Sequence, residues 1–116
     1  MKMTSAIRFH DYGGPEVMKF EQIPCPVPKD DEILVRVHAI GVNPVDWKLR
    51  EGIARKRINI PLPAIPGGDI SGVIEQVGSS VEGVSAGQPV FAMVGLLGAY
   101  TGHVAIKPAI TAPKPS

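Results

Sequence analysis

Residues 33–38 alternate: Ile33, Val35 and Val37 fall on one side of an extended backbone, Leu34, Arg36 and His38 on the other. That period of two predicts a strand. The same pattern predicts strands over Ile70–Val77, over Pro89–Val94 and within "AYTGHVAIKP", with Gly78, Gly83 and Gly87 marking turns. Near the N-terminus, "SAIRFHDYGGPEVMKFEQIP" has two alternating segments around Gly13-Gly14-Pro15. Glycine supplies the positive φ angles of a tight turn, so a hairpin is expected. "ARKRINIPLPAIP" should be irregular, because Pro61, Pro63 and Pro66 cannot donate ladder hydrogen bonds. "AITAPKPS" should trail off without a helix.

One segment breaks the pattern: "GVNPVDWKLREG", residues 41–52. Asn43 suits a helix N-cap, and Pro44 suits the first helical position, where its missing N–H costs nothing. Asp46, three residues past the cap, complements the helix dipole, and Gly52 suits the stop. Val45 and Leu49 are expected as the buried seam. Asp46 and Arg50 are expected as an exposed i,i+4 pair worth a few tenths of a kcal/mol. A helix this short needs tertiary contacts to persist. Trp47, the only tryptophan, and Lys48 have no role in this capping scheme.

Six or seven short strands and one short helix predict a mainly β domain over residues 1–116, a partly closed barrel or a sandwich. The lack of strand–helix alternation excludes a doubly wound nucleotide-binding domain. Twelve basic and eleven acidic side chains leave a net charge of +1, so no global attraction to nucleic acid or anionic membrane is expected. The longest apolar run, "FAMVGLLGAY", is too short to span a bilayer, and Arg8 and Asp11 interrupt any signal-peptide core. A cytoplasmic protein is the simplest expectation.

Candidate chemistry narrows further. Cys25 stands alone, and His10, His38 and His103 lack metal-ligand spacing. "PGGDISG" lacks the Gly-Lys-Ser/Thr ending of a phosphate loop and continues as a strand. Its glycines suit close backbone approach at a bend instead. Arg55-Lys56-Arg57 reads first as a solvated loop, with contact to an anionic ligand as the alternative.

Three stretches then resemble one family: "YGGPEVMKFEQIPCPVPKDDEILVRVHAIGVNPVDWKLREG", "IPGGDISGVIEQVGSSVEGVSAGQPVFA" and "YTGHVAIKP". In this order they resemble the N-terminal catalytic domain of medium-chain dehydrogenases/reductases, from about Thr4 to Pro115. The resemblance implies a GroES-like, partly open β-barrel with one or two short helices. Zinc-dependent members place a cysteine where this chain has Asn43 and a histidine where it has Gly68, so it implies no zinc here. The Asn-x-x-Asp spacing is similar to the zinc-independent quinone oxidoreductases and enone reductases. In that branch Asn43, Asp46, Trp47 and Lys48 would border the substrate and nicotinamide, with Asp46 anchoring the turn. Lys48 stands where quinone reductases often carry tyrosine, which makes it the candidate catalytic residue.

The resemblance implies an NADPH-dependent parent that reduces a quinone or α,β-unsaturated carbonyl by hydride transfer. Its nucleotide-binding domain would follow Ser116, so this domain is expected to be truncated, inactive alone and inclined to self-associate into a homo-oligomer. The competing expectation is a non-catalytic GroES-like binding or assembly module, since fold does not settle function. An alcohol dehydrogenase with unfamiliar metal ligands is the third.

Overall fold

The computed structural model describes residues 2–113. Strands β1 (Met3–Phe9) and β2 (Met18–Pro24) pair antiparallel, from Met3↔Pro24 to Phe9↔Met18. Strands β3 (Ile33–Gly41), β4 (Asp69–Val77), β5 (Pro89–Met93), β6 (His103–Ile106) and β7 (Thr111–Pro113) form a second sheet in the order β6-β3-β4-β5-β7. Helix α1, Pro44–Glu51, lies between β3 and β4 in sequence. Among the described residues it is the one α-helix, and no helix is long and apolar enough to cross a membrane.

The two sheets are joined along one side. The Ile7 N–H donates to the Tyr100 carbonyl at 2.9 Å, and the Gly102 N–H donates to the Ser5 carbonyl at 2.8 Å. Residues 100–102 therefore run beside β1 before the chain enters β6. This seam between two separate sheets gives the mainly β, incompletely closed architecture that the sequence leads one to expect.

The larger core comprises Ile33, Val35, Ile70, Ile74, Val90, Ala92, Ala99 and Ile106. Ile33 and Val35 enter it as their alternation requires. Leu34 departs from the alternation, being buried on the opposite face, where it lines a depression with Lys2, Cys25 and Pro26. The start of β3 is covered on both sides, so its pattern is continuous there rather than alternating. A smaller core of Phe9, Leu49, Ile60 and Ala64 fastens α1 to β1 and to the irregular segment after the helix. That segment is tied down by reciprocal bonds between Phe9 and Ala64, at 2.9 and 3.0 Å.

Two local expectations change. Gly13-Gly14-Pro15 is not a tight hairpin turn: residues 10–17 form a longer loop that ends in a 3-10 turn over Pro15–Val17. The Gly13 N–H bonds to the Arg50 carbonyl at 3.0 Å, so this loop is held by α1 rather than by the strands it joins. The tail also gains structure. A 3-10 turn over Pro108–Ile110 redirects the chain, and β7 pairs with the outer side of β5. Pro113 fits there because a terminal ladder position on a short edge strand need not donate.

Gly72 marks the tightest approach within the large sheet. A Cβ there would lie 2.1 Å from the carbonyl oxygen of Arg36 on β3. Backbone cannot yield as a side-chain tip can, so Gly72→Ala should cost about 1–3 kcal/mol. Urea unfolding should show a lower midpoint with an unchanged slope; an unshifted midpoint would contradict this packing.

Candidate functional site

The site begins where β3 gives way to α1. Asn43 is extended at φ −123° and ψ 153°, and Pro44 opens the helix. Gly52 closes it in the left-handed region at φ +81°, its N–H donating to the Leu49 carbonyl at 3.1 Å. The Asn43 main-chain N–H donates to Asp46 Oδ2 at 3.0 Å, satisfying a donor that the helix start leaves free. The Asn43 side chain turns toward β4 instead, and its Nδ2 donates to Asp69 Oδ2 at 2.8 Å.

Asp46 Oδ2 also accepts the Tyr100 hydroxyl, at 2.9 Å. One carboxylate oxygen thus joins the helix start to the segment that leads into β6. Its other oxygen, Oδ1, is buried without a hydrogen-bond partner. Burial, and next the bond to Asp46, pushes the Tyr100 phenol up to about 12. Tyr100 reaches this position because residue 67 is glycine: a Cβ there would lie 2.3 Å from the ring, and its φ of +98° also favours glycine.

The inward face of α1 therefore differs from expectation. Asp46, Leu49 and Arg50 are buried, whereas Val45 is 40% exposed. Leu49 meets the Phe9 core, and Asp46, one turn before it, is buried, whereas Val45, four residues before it, faces outward. Asp46 and Arg50 do not form an exposed ion pair. Arg50 Nε donates to the Gly13 carbonyl at 3.1 Å, and its Nη2 lies 3.4 Å from Glu51 Oε2. Arg50 thereby spends its charge on the loop and on its neighbour.

A cleft of about 250 Å³ opens beside this network, bordered by Met18, Val42, Asn43, Trp47, Pro66 and Tyr100, with Asp46 and Arg50 behind. Of the residues expected from the sequence, Asn43, Asp46 and Trp47 meet at this cleft. Lys48 does not border it: the side chain is exposed and its Nζ lies 5.7 Å from the Trp47 ring centroid. Tyr100 and Asp69 complete the site and were not legible beforehand. Their partners are 54 and 26 residues away, and each falls in a stretch that reads simply as strand.

Chemically the cleft offers a largely apolar slot with one indole wall and an asparagine at its rim. The Asn43 amide borders the cleft with its Nδ2 committed to Asp69, which leaves the oxygen as the end that could serve a ligand as acceptor. A slot with few polar groups suits a flat, weakly polar ring. Among the described residues, no three His, Cys, Asp or Glu side chains are grouped to hold a metal.

Residues 29–116 match the family model of the alcohol dehydrogenase GroES-like domain. Quinone oxidoreductases of Sus scrofa and Homo sapiens are 44% and 43% identical to the chain over 100 and 101 residues, 85% of its length in each case. The chain spans only 30% of either relative. Among solved structures, the quinone oxidoreductase from Coxiella burnetii superposes with a TM-score of 0.90 at 31% identity, covering 99% of this chain and 38% of that one. The Escherichia coli quinone oxidoreductase complexed with NADPH gives 0.86 at 33% identity, over 96% and 33%.

Removing the Tyr100 hydroxyl should leave a buried carboxylate short of a partner. Tyr100→Phe is therefore expected to cost about 1–3 kcal/mol. Its pH signature is specific. A phenol whose pKa rises from 10.0 to about 12 on folding contributes stability that is fully present below 10 and lost as pH rises through 12. Thermal unfolding followed across that window should show a steeper alkaline loss for the parent than for Tyr100→Phe. Parallel curves would refute the bond.

Proposed function

Because the chain belongs to the alcohol dehydrogenase GroES-like domain family, we propose that it is the substrate-side domain of a zinc-independent, NADPH-dependent oxidoreductase that reduces quinones or enones. The observation that carries this reading is the joint placement of Asn43 and Trp47 on an apolar cleft whose floor is fixed by Asp46 and Tyr100. A reduced nicotinamide, when bound, supplies hydride. This chain's residues supply the wall of the slot. Trp47 would offer a flat face for a ring, and the Asn43 amide oxygen would accept from a carboxamide N–H, a reading supported by both residues bordering the cleft. Exclusion of water by the apolar lining strengthens every polar contact inside.

The donor set favours metal-free chemistry. Where zinc-dependent members would place an imidazole, this chain has Gly68, and even a Cβ there would lie 2.5 Å from the Gly95 carbonyl oxygen. A histidine side chain has no room without moving backbone. Asn43, at the other ligand position, presents a neutral amide rather than a thiolate. Negative charge developing on a substrate carbonyl oxygen must then be met by hydrogen-bond donors. Lys48 could do so only by leaving the Trp47 ring and turning into the cleft.

The domain should be assayed in one chain with the nucleotide-binding part of the Escherichia coli relative, using NADPH and a 1,4-quinone. Quinone-dependent NADPH oxidation that survives metal chelation is expected. Asn43→Ala should lower kcat/KM by roughly 10-fold or more through lost positioning. A folded, NADPH-binding fusion with no quinone-dependent oxidation would overturn the reading. Loss of activity on chelation would overturn its zinc-free part. If Lys48→Met lowers kcat as far as Asn43→Ala lowers kcat/KM, the lysine turns inward during turnover; an unchanged kcat assigns it to the surface.

A further inference from the structure

One end of α1 and the turn after it form a surface that shares Trp47 with the cleft but otherwise faces away from it. Between Trp47 and Ile58 the chain has five cations and a single carboxylate, although the whole chain is nearly neutral. Arg50 and Glu51 are paired with each other. That leaves Lys48, Arg55, Lys56 and Arg57, all exposed. Among the described residues none of these four has a carboxylate within the 4.0 Å of an ion pair. Apolar side chains are interleaved with them. Ile53 is 64% exposed, Trp47 42% and Ile58 36%.

The segment is built rather than loose. The Ile53 N–H donates to the Lys48 carbonyl at 3.2 Å, Arg55 to Gly52 at 3.1 Å, and Arg57 and Ile58 to Ala54 at 2.9 and 2.8 Å. Hydrogen-bonded turns hold the isoleucines and cations within one short, exposed segment. Glu51, Gly52, Ile53, Arg55 and Lys56 border a shallow depression on it. Like charges so close repel one another, and exposed isoleucines gain nothing in water. Both costs vanish against a surface that is anionic at its face and apolar just beneath.

We propose that this segment, Lys48 to Ile58, docks the domain on an anionic lipid bilayer. Arg55, Lys56 and Arg57 would meet headgroup phosphates and carboxylates while Ile53 and Ile58 enter the acyl boundary. An acidic protein or nucleic acid would satisfy the cations but would leave the isoleucines unburied, so the interleaving favours lipid. The inference is independent of the proposed reaction, and it modifies the expectation from net charge: the mean is near zero, but the local field is not. Trp47 belongs both to this surface and to the cleft wall, so docking would set the cleft beside the bilayer.

The test is co-sedimentation of the 116-residue chain with phosphatidylcholine vesicles, with and without about a third phosphatidylserine. Trp47 fluorescence is followed in parallel, since the chain has no other tryptophan. Binding to the anionic vesicles alone is expected, with a blue shift of the indole and a steep loss in about 0.5 M salt. Reversal of Arg55, Lys56 and Arg57 to Glu should lower partitioning by at least on the order of 100-fold. Ile53→Ser keeps every charge and should still weaken it. Far-ultraviolet circular dichroism confirms that both variants are folded. No binding to anionic vesicles, or binding indifferent to the charge reversal, would overturn the proposal. Binding that Ile53→Ser leaves intact and polyglutamate displaces would assign the surface to acidic macromolecules instead.

Discussion

The site depends on one carboxylate oxygen. Asp46 Oδ2 accepts from the Asn43 main chain and from the Tyr100 hydroxyl, and so fixes the start of α1 to the segment that leads into β6. Eight residues cannot hold a helix by themselves. Their order comes from Leu49 in the small core below and from this bond above. The asparagine at the rim is then oriented twice, by its main-chain bond to Asp46 and by its side-chain bond to Asp69. A side chain fixed in this way needs little reorganisation when a ligand arrives.

Glycine makes that arrangement possible at two adjacent positions for different reasons. Gly67 clears space for the Tyr100 ring, and Gly68 clears space for the backbone of Gly95. The same pair that admits the tyrosine therefore leaves no room for an imidazole. "PGGDISG" runs directly into β4, and its glycines serve close approach rather than a phosphate.

Much of the fold was legible because alternation and capping are local signals. Ile33 and Val35 pointed inward as their period requires, and Asn43, Pro44 and Gly52 bounded the helix as their backbone preferences require. What failed was non-local. Nothing near Leu34 reveals that a second layer covers its face, and nothing near Val45 reveals that the neighbouring polar face is the one turned inward. β7 escapes a reading by pattern because three residues ending in a proline hold no period to detect. In the site, Asn43 and Asp46 could be named from one short segment, whereas Tyr100 could not, since its role exists only after 54 residues of chain return it to the helix.

The central claim is that the Asp46–Tyr100 bond, not helix propensity, holds the rim of the cleft in place. A double-mutant cycle on the stability of Asp46→Ala, Tyr100→Phe and their combination measures it directly. The account predicts strong non-additivity, with a coupling of about 1 kcal/mol or more, because the second change removes a contact that the first has already broken. Additive effects would mean that the two side chains stabilise the domain separately, and the rim would then have to be held by something other than this carboxylate.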